Sequence, residues 1–217
     1  MKIKSSNIVL LLTVAASFFI AVYFYPLLPD KIISHWNVYG KADDYMPKLF
    51  GLLWFPVLLV ILDLLFVIIP KIDPLKKNIE SFRKYFDDFI LLFNIFFFYL
   101  FALTIFANLG FAFNMVWALM PAFAIFFYYI GVMMGNAKRN YFIGIRTPWT
   151  LASDKVWEKT HKLGGLLFKV GGILFLLSMI DPFVGFVVII SYLLAITVFL
   201  VVYSYIEFKK EERHKHT

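Results

Sequence analysis

The chain has 217 residues, is 62% hydrophobic with 27 phenylalanines, has a mean hydropathy of +0.81 and carries a net charge of +7. A soluble domain of this length is nearer half apolar, so a water-soluble core is excluded and a polytopic membrane protein is indicated. The absence of cysteine removes disulfides, thiol nucleophiles, Cys-ligated zinc and iron–sulfur clusters.

In chain order, apolar runs occupy roughly 7–25, 48–69, 86–108, 115–135, 165–181 and 186–207. Each approaches the ~20 residues that cross a hydrocarbon core, and backbone in lipid must satisfy its own hydrogen bonds, so all six are predicted helices. The fold class expected is therefore all-α, a bundle of six transmembrane helices. The first run begins Met-Lys-Ile-Lys but is too long for a signal-peptide core and has no closing small-residue cleavage site, so it is read as an uncleaved helix. Short turns at Asn108–Asn114 and Asp181–Gly185 predict antiparallel pairing of spans 3 with 4 and 5 with 6. The tail from Glu207 is charged and expected to fray, with His214 and His216 free rather than on a metal.

Lysine and arginine set orientation. Seventeen of them fall at the termini and in the loops around 70–85 and 136–164, against three (Lys31, Lys41, Lys48) in the opposite loops; Lys169 lies within span 5. Both termini are thus expected in the cytoplasm. Two modules are expected: residues 1–69, two helices joined by an outward loop at 26–47, and residues 70–217, four helices carrying a cytoplasmic motif at 140–165.

The outward loop is punctuated by Pro26, Pro29 and Gly40 and is expected to be ordered but irregular. Trp36, Tyr39 and Tyr45 suit the membrane–water interface. Asp30, His35, Asp43 and Asp44 have the right types for a metal or proton site, but the spacing is not that of a metal motif; the plainer reading has His35 and Asn37 holding the loop backbone. Asp30, His35, Trp36, Asn37 and Gly40 are the candidate outward binding residues.

In the 140–165 island, Asn140, Gly144, Arg146, Thr147, Pro148, Trp149, Thr150, Asp154, Trp157 and His161 are the candidates. Gly144 permits positive φ, and Pro148 biases Thr147 to extended backbone. Ser153 is a predicted N-cap for a short helix at 154–163, which Gly164 and Gly165 would interrupt or bend. Asp154, Trp157 and His161 share a face of that helix: either interfacial anchoring, with Trp157 at the headgroups, or a recognition face whose His161 titrates as a switch. Glu158 and Lys162 are positioned to pair. Arg146 fits a carboxylate, a phosphate or backbone carbonyls, or lipid headgroups.

Asp63 and Lys169 lie inside spans, where ionisable groups tend to pair, so spans 2 and 5 are expected to meet with Asp63 near Lys169. Gly131 and Gly135 form a GxxxG pattern suited to close helix approach, and Gly164, Gly165, Gly171 and Gly172 give span 5 a small stripe. There is no Walker loop, His-Glu-x-x-His or nucleophile elbow.

The string Gly144-Ile-Arg-Thr-Pro-Trp-Thr-Leu, with Ser153-Asp154, Val156-Trp157, Thr160-His161 and Gly164-Gly165, resembles the signature of the SdpI family. The loop residues Leu28-Pro29-Asp30-Lys31-Ile32, His35-Trp36-Asn37, Gly40 and Lys48 resemble the uncharacterised DUF1648-type module often fused to it, with Ile33 standing where proline is expected. The resemblance implies a plasma-membrane immunity and signalling protein that protects against a secreted antimicrobial peptide toxin of a sporulation-delay system and holds a transcriptional repressor at the membrane. It implies no enzyme activity and no cofactor. Expected partners are the bilayer, a peptide outside and a protein at the cytoplasmic face, with no direct nucleic-acid contact and the oligomeric state open. A small proton-coupled transporter using Asp63, Lys169 and His161, and a membrane metalloenzyme built on His35, are the alternatives.

Overall fold

A computed structural model describes residues 5–215, with side chains from 8 to 214; Lys2, Lys4 and His216 lie outside it. Long helices dominate: α1 (Ser5–Phe24), α2 (Lys48–Ile72), α4 (Arg83–Asn108), α5 (Met115–Asn136), α7 (Asp154–Leu174) and α8 (Pro182–Lys215). Among the described residues, these six are long and apolar enough to cross a membrane, α7 being extended by a 3-10 turn at Phe175–Met179. Short helices α3 (Lys76–Ser81) and α6 (Pro148–Ala152) lie in the connections.

The all-α expectation needs one amendment. The loop at 26–47 is an antiparallel hairpin, β1 (Lys31–Trp36) with β2 (Ala42–Pro47), rather than irregular chain. Its register runs Lys31↔Pro47, Ile32↔Met46 and Ile33↔Tyr45, then slips around His35.

Packing divides the helices. α1, α2 and α4 pack on one another, α4 meets α5, and α5, α7 and α8 form the other group. Both predicted helical hairpins, α4–α5 and α7–α8, are present. Phenylalanine fills the seam: Phe66 meets Phe86, Phe89 and Phe93 edge-on, and Phe96 stacks on Phe126 with centroids 4.6 Å apart. Rings supply dispersion, which must do much of the work where lipid offers no hydrophobic contrast.

The closest approach, α5 on α7, is made by glycine. A Cβ on Gly131 would lie 2.4 Å from the Gly165 carbonyl oxygen, and one on Gly165 would lie 2.6 Å from that of Gly131. A Cβ on Gly172 would sit 2.7 Å from the Ala124 carbonyl oxygen. The GxxxG pattern is thus spent inside the chain. Gly164 and Gly165 do not interrupt the helix, correcting that expectation; α7 runs unbroken through them into the span. The charged tail is also helical, through Lys215, and Glu207 is buried.

Asp63 and Lys169 do not pair. The Asn94 side-chain amide donates to Asp63 Oδ1 at 2.8 Å, whereas the Lys169 ammonium lies 5.7 Å from the Tyr128 ring centre. The reason is topological: α2 packs on α1 and α4, α7 packs on α5 and α8, and the α4–α5 pair stands between.

Candidate functional site

The helices have two differently built ends. One carries the β-hairpin. Asn37 Oδ1 accepts from the Tyr39 and Lys41 amides at 3.0 and 3.1 Å, and Gly40 takes φ +74°, so an Asx turn closes the strands. The turn sits on the start of α5, where a Cβ on Gly40 would come within 3.3 Å of Val116. Ile32 is buried over Gly51 of α2, and the Ile33 amide donates to Asn108 Oδ1 at 2.7 Å. A proline at 33 would have no such donor.

His35 is exposed and meets Asp43 Oδ1 at 2.6 Å, while Asp30 pairs with Lys48 at 3.2 Å. His35 thus faces a single carboxylate, and among the described residues no three His, Cys, Asp or Glu side chains converge as a metal site would require. His35, Trp36, Asn37 and Gly40 line the mouth of a cavity of about 460 Å³ that continues between α5 and α8.

The opposite end carries the island, built around buried polar groups that bind backbone. Asn140, fully buried, accepts from the Phe142 and Ile143 amides and donates to the Lys138 and Ile143 carbonyls. Gly144 has φ +113°, and a Cβ there would strike His161 Nε2 at 2.4 Å, so conformation and space both demand glycine. Thr147 caps α6 in a reciprocal box with Thr150, and its hydroxyl lies 2.9 Å from Ser204 of α8. Pro148 opens that helix, and Trp149 packs against Tyr205 with centroids 5.1 Å apart. Ser153 caps α7 as predicted and bonds Glu211.

Trp157 and His161 are not at an interface. Both are about 1% exposed and stack with centroids 3.9 Å apart. Trp157 donates to the Ala137 carbonyl at 2.9 Å. His161 Nε2 accepts the Ile145 amide at 2.9 Å and Nδ1 lies 2.9 Å from the Trp157 carbonyl, which assigns the neutral ring with its proton on Nδ1. The headgroup-anchor reading of Trp157 and the switch reading of His161 are corrected accordingly: each nitrogen is already committed to backbone. Asp154 turns outward to Arg139 at 2.7 Å, Glu158 pairs with Lys162 at 2.8 Å, and Arg146 donates to the Tyr141 carbonyl at 2.7 Å.

Some key residues escaped the sequence reading. Asp73, buried beyond α2, accepts from the Leu75 and Tyr141 amides at 2.6 and 2.8 Å, and Asn78 donates to the Arg139 carbonyl at 2.7 Å. Together they tie the α2–α4 connection to the island. Asp73 precedes Pro74, a local turn signal that was available. Glu207 binds Lys159 and Lys210, closing α7 on α8.

This buried knot coincides with a known sequence block. The SdpI/YfhL protein family matches residues 136–206 and the domain of unknown function DUF1648 matches residues 12–60. The island therefore resembles the SdpI family. The SdpI match begins at the end of α5 and takes in the island, α6, α7 and most of α8, while the DUF1648 match takes in most of α1, the hairpin and half of α2. Over 197 residues the chain is 27% identical to Immunity protein SdpI of Bacillus subtilis (strain 168), covering 90% of this chain and 91% of that protein. No solved structure matches. Six apolar helices and the SdpI similarity make this a multi-pass plasma-membrane protein, embedded in the bilayer.

Proposed function

We propose that the protein is a non-enzymatic membrane immunity and signalling protein: its hairpin end meets a secreted antimicrobial peptide outside the cell, and its island end engages a cytoplasmic protein such as a transcriptional repressor. The observation that carries this reading is the likeness to an immunity protein along 90% of the chain, hairpin and island included. Orientation rests on the lysine and arginine bias, which assigns the island and both termini to the cytoplasm. The division into modules 1–69 and 70–217 belongs to the same proposal, with Asp30, His35, Trp36, Asn37 and Gly40 as outward contacts.

On the cytoplasmic side the exposed charged members of the motif, Arg146 and Asp154, are available to a partner, beside the exposed Gly144 and Pro148. Asn140, Thr147, Thr150, Trp157 and His161 hold the platform that presents them. The transporter alternative loses its relay, since Asp63 and Lys169 have different partners and both nitrogens of His161 are occupied by backbone.

Expression in cells sensitive to membrane-active peptides tests the immunity reading. Survival above the vector control is expected, and is lost in Gly40→Val, which strains the turn, at unchanged membrane abundance. Survival equal to vector across a panel of such peptides overturns the reading. Recovery of a cytosolic protein with the membrane fraction, lost in Arg146→Ala, tests the second role.

A further inference from the structure

The cavity beneath the hairpin turn has a lining that selects its occupant. Its walls run along α5 from Met115 to Phe123 and along α8 from Pro182 to Leu193. At ~1.5 Å per residue these stretches are about 12 and 16 Å long. An extended peptide would bring an N–H and a C=O with every residue, each costly to leave unpaired in an apolar site. Below the mouth the lining offers one polar side chain, Ser178. The remaining walls are apolar, and Met115, Val116, Phe175 and Ile189 among them are buried, so the space reaches inward past the helix surface. Two other wall residues on α8, Phe186 and Ile190, are 51% and 43% exposed, so the slot opens sideways where the bilayer lies.

We propose that this slot holds one acyl chain of a bilayer phospholipid, inserted along α5 and α8 beneath the His35–Gly40 turn. A long apolar space with a lateral opening admits a hydrocarbon chain that remains attached to a headgroup at the interface. Met115 and Met120 give the wall side chains that adapt to a flexible occupant. The chain fills the gap between the hairpin turn and α8, so the two modules are joined through lipid as well as through protein contacts. This inference is independent of any toxin.

The test places the full-length protein in nanodiscs of phosphatidylethanolamine and phosphatidylglycerol containing a trace of phospholipid with a photoreactive group in its acyl chain. Label is expected to concentrate on 115–123 and 186–193. In Leu119→Trp, which fills the slot, labelling there falls to the level found on Leu64 and Leu65, two exposed residues of α2 away from the cavity. Ile190→Trp fills it from the other wall and serves if the first variant unfolds, as judged by gel filtration and thermal melting. Label spread over every lipid-facing helix, with neither filled variant changing the pattern, overturns the proposal. So does displacement of the label by an apolar peptide but not by excess free fatty acid. The assay contains no toxin and the survival assay reads no lipid, so the two proposals fail separately.

Discussion

At the scale of single residues, the island's most distinctive side chains are spent on its own backbone. His161→Ala takes the acceptor from the half-buried Ile145 amide and empties a fully buried site, an expected loss of about 1–3 kcal/mol. Thermal unfolding in detergent should report it as a lowered melting temperature. Asp73→Ala orphans the Leu75 and Tyr141 amides and is expected to cost a similar amount, about 1–3 kcal/mol, with faster hydrogen exchange at Tyr141. An unchanged melting temperature and exchange rate would show that the carboxylate does not hold the loop. Local rules found what is local: positive φ at Gly144, extended Thr147 before Pro148, and the Ser153 cap were all readable from neighbours in sequence. The partners of His161 and Asp73 were not, because Ile145 lies 16 residues from one and Tyr141 lies 68 residues from the other.

At the scale of elements, two of the corrections have clear physical causes. Gly164-Gly165 reads as a helix breaker on intrinsic propensity, but in lipid the backbone has no better alternative than the helix, and the neighbouring α5 needs the space. The hairpin was missed because β2, Ala-Asp-Asp-Tyr-Met-Pro, has two aspartates and a terminal proline, residues depleted in strands although suited to guarding an exposed edge. The six spans were legible throughout, since length and hydropathy alone set them. The glycine contact gives a sharp contrast. Gly131→Ala must push α7 away and is expected to cost about 1–3 kcal/mol, as overpacking does. At Gly135 a Cβ meets nothing within 4 Å, so Gly135→Ala is expected to be neutral or to gain up to about 1 kcal/mol of helix propensity. Denaturation of both variants in SDS mixtures checks the pair; equal behaviour would mean the α5–α7 contact is looser than described.

At the scale of the whole molecule, charge asymmetry and a two-ended build make the orientation testable. The chain has no cysteine, so a single introduced thiol has no background. With the hairpin outside, Tyr39→Cys should react with an impermeant maleimide on intact cells and Lys155→Cys only after lysis; the opposite pattern reverses the topology. The hydrogen bond from the Ile33 amide to Asn108 has a consequence in time. Its partners are 75 residues apart. At about 5–20 residues per second of synthesis, β1 emerges roughly 4–15 s before the side chain that receives it exists. During that interval Ile32 and Ile33 lack the end of α4, so the newborn hairpin waits half-docked, and a ribosome stalled before α4 is complete would leave it exposed to surface proteases that the finished protein withstands.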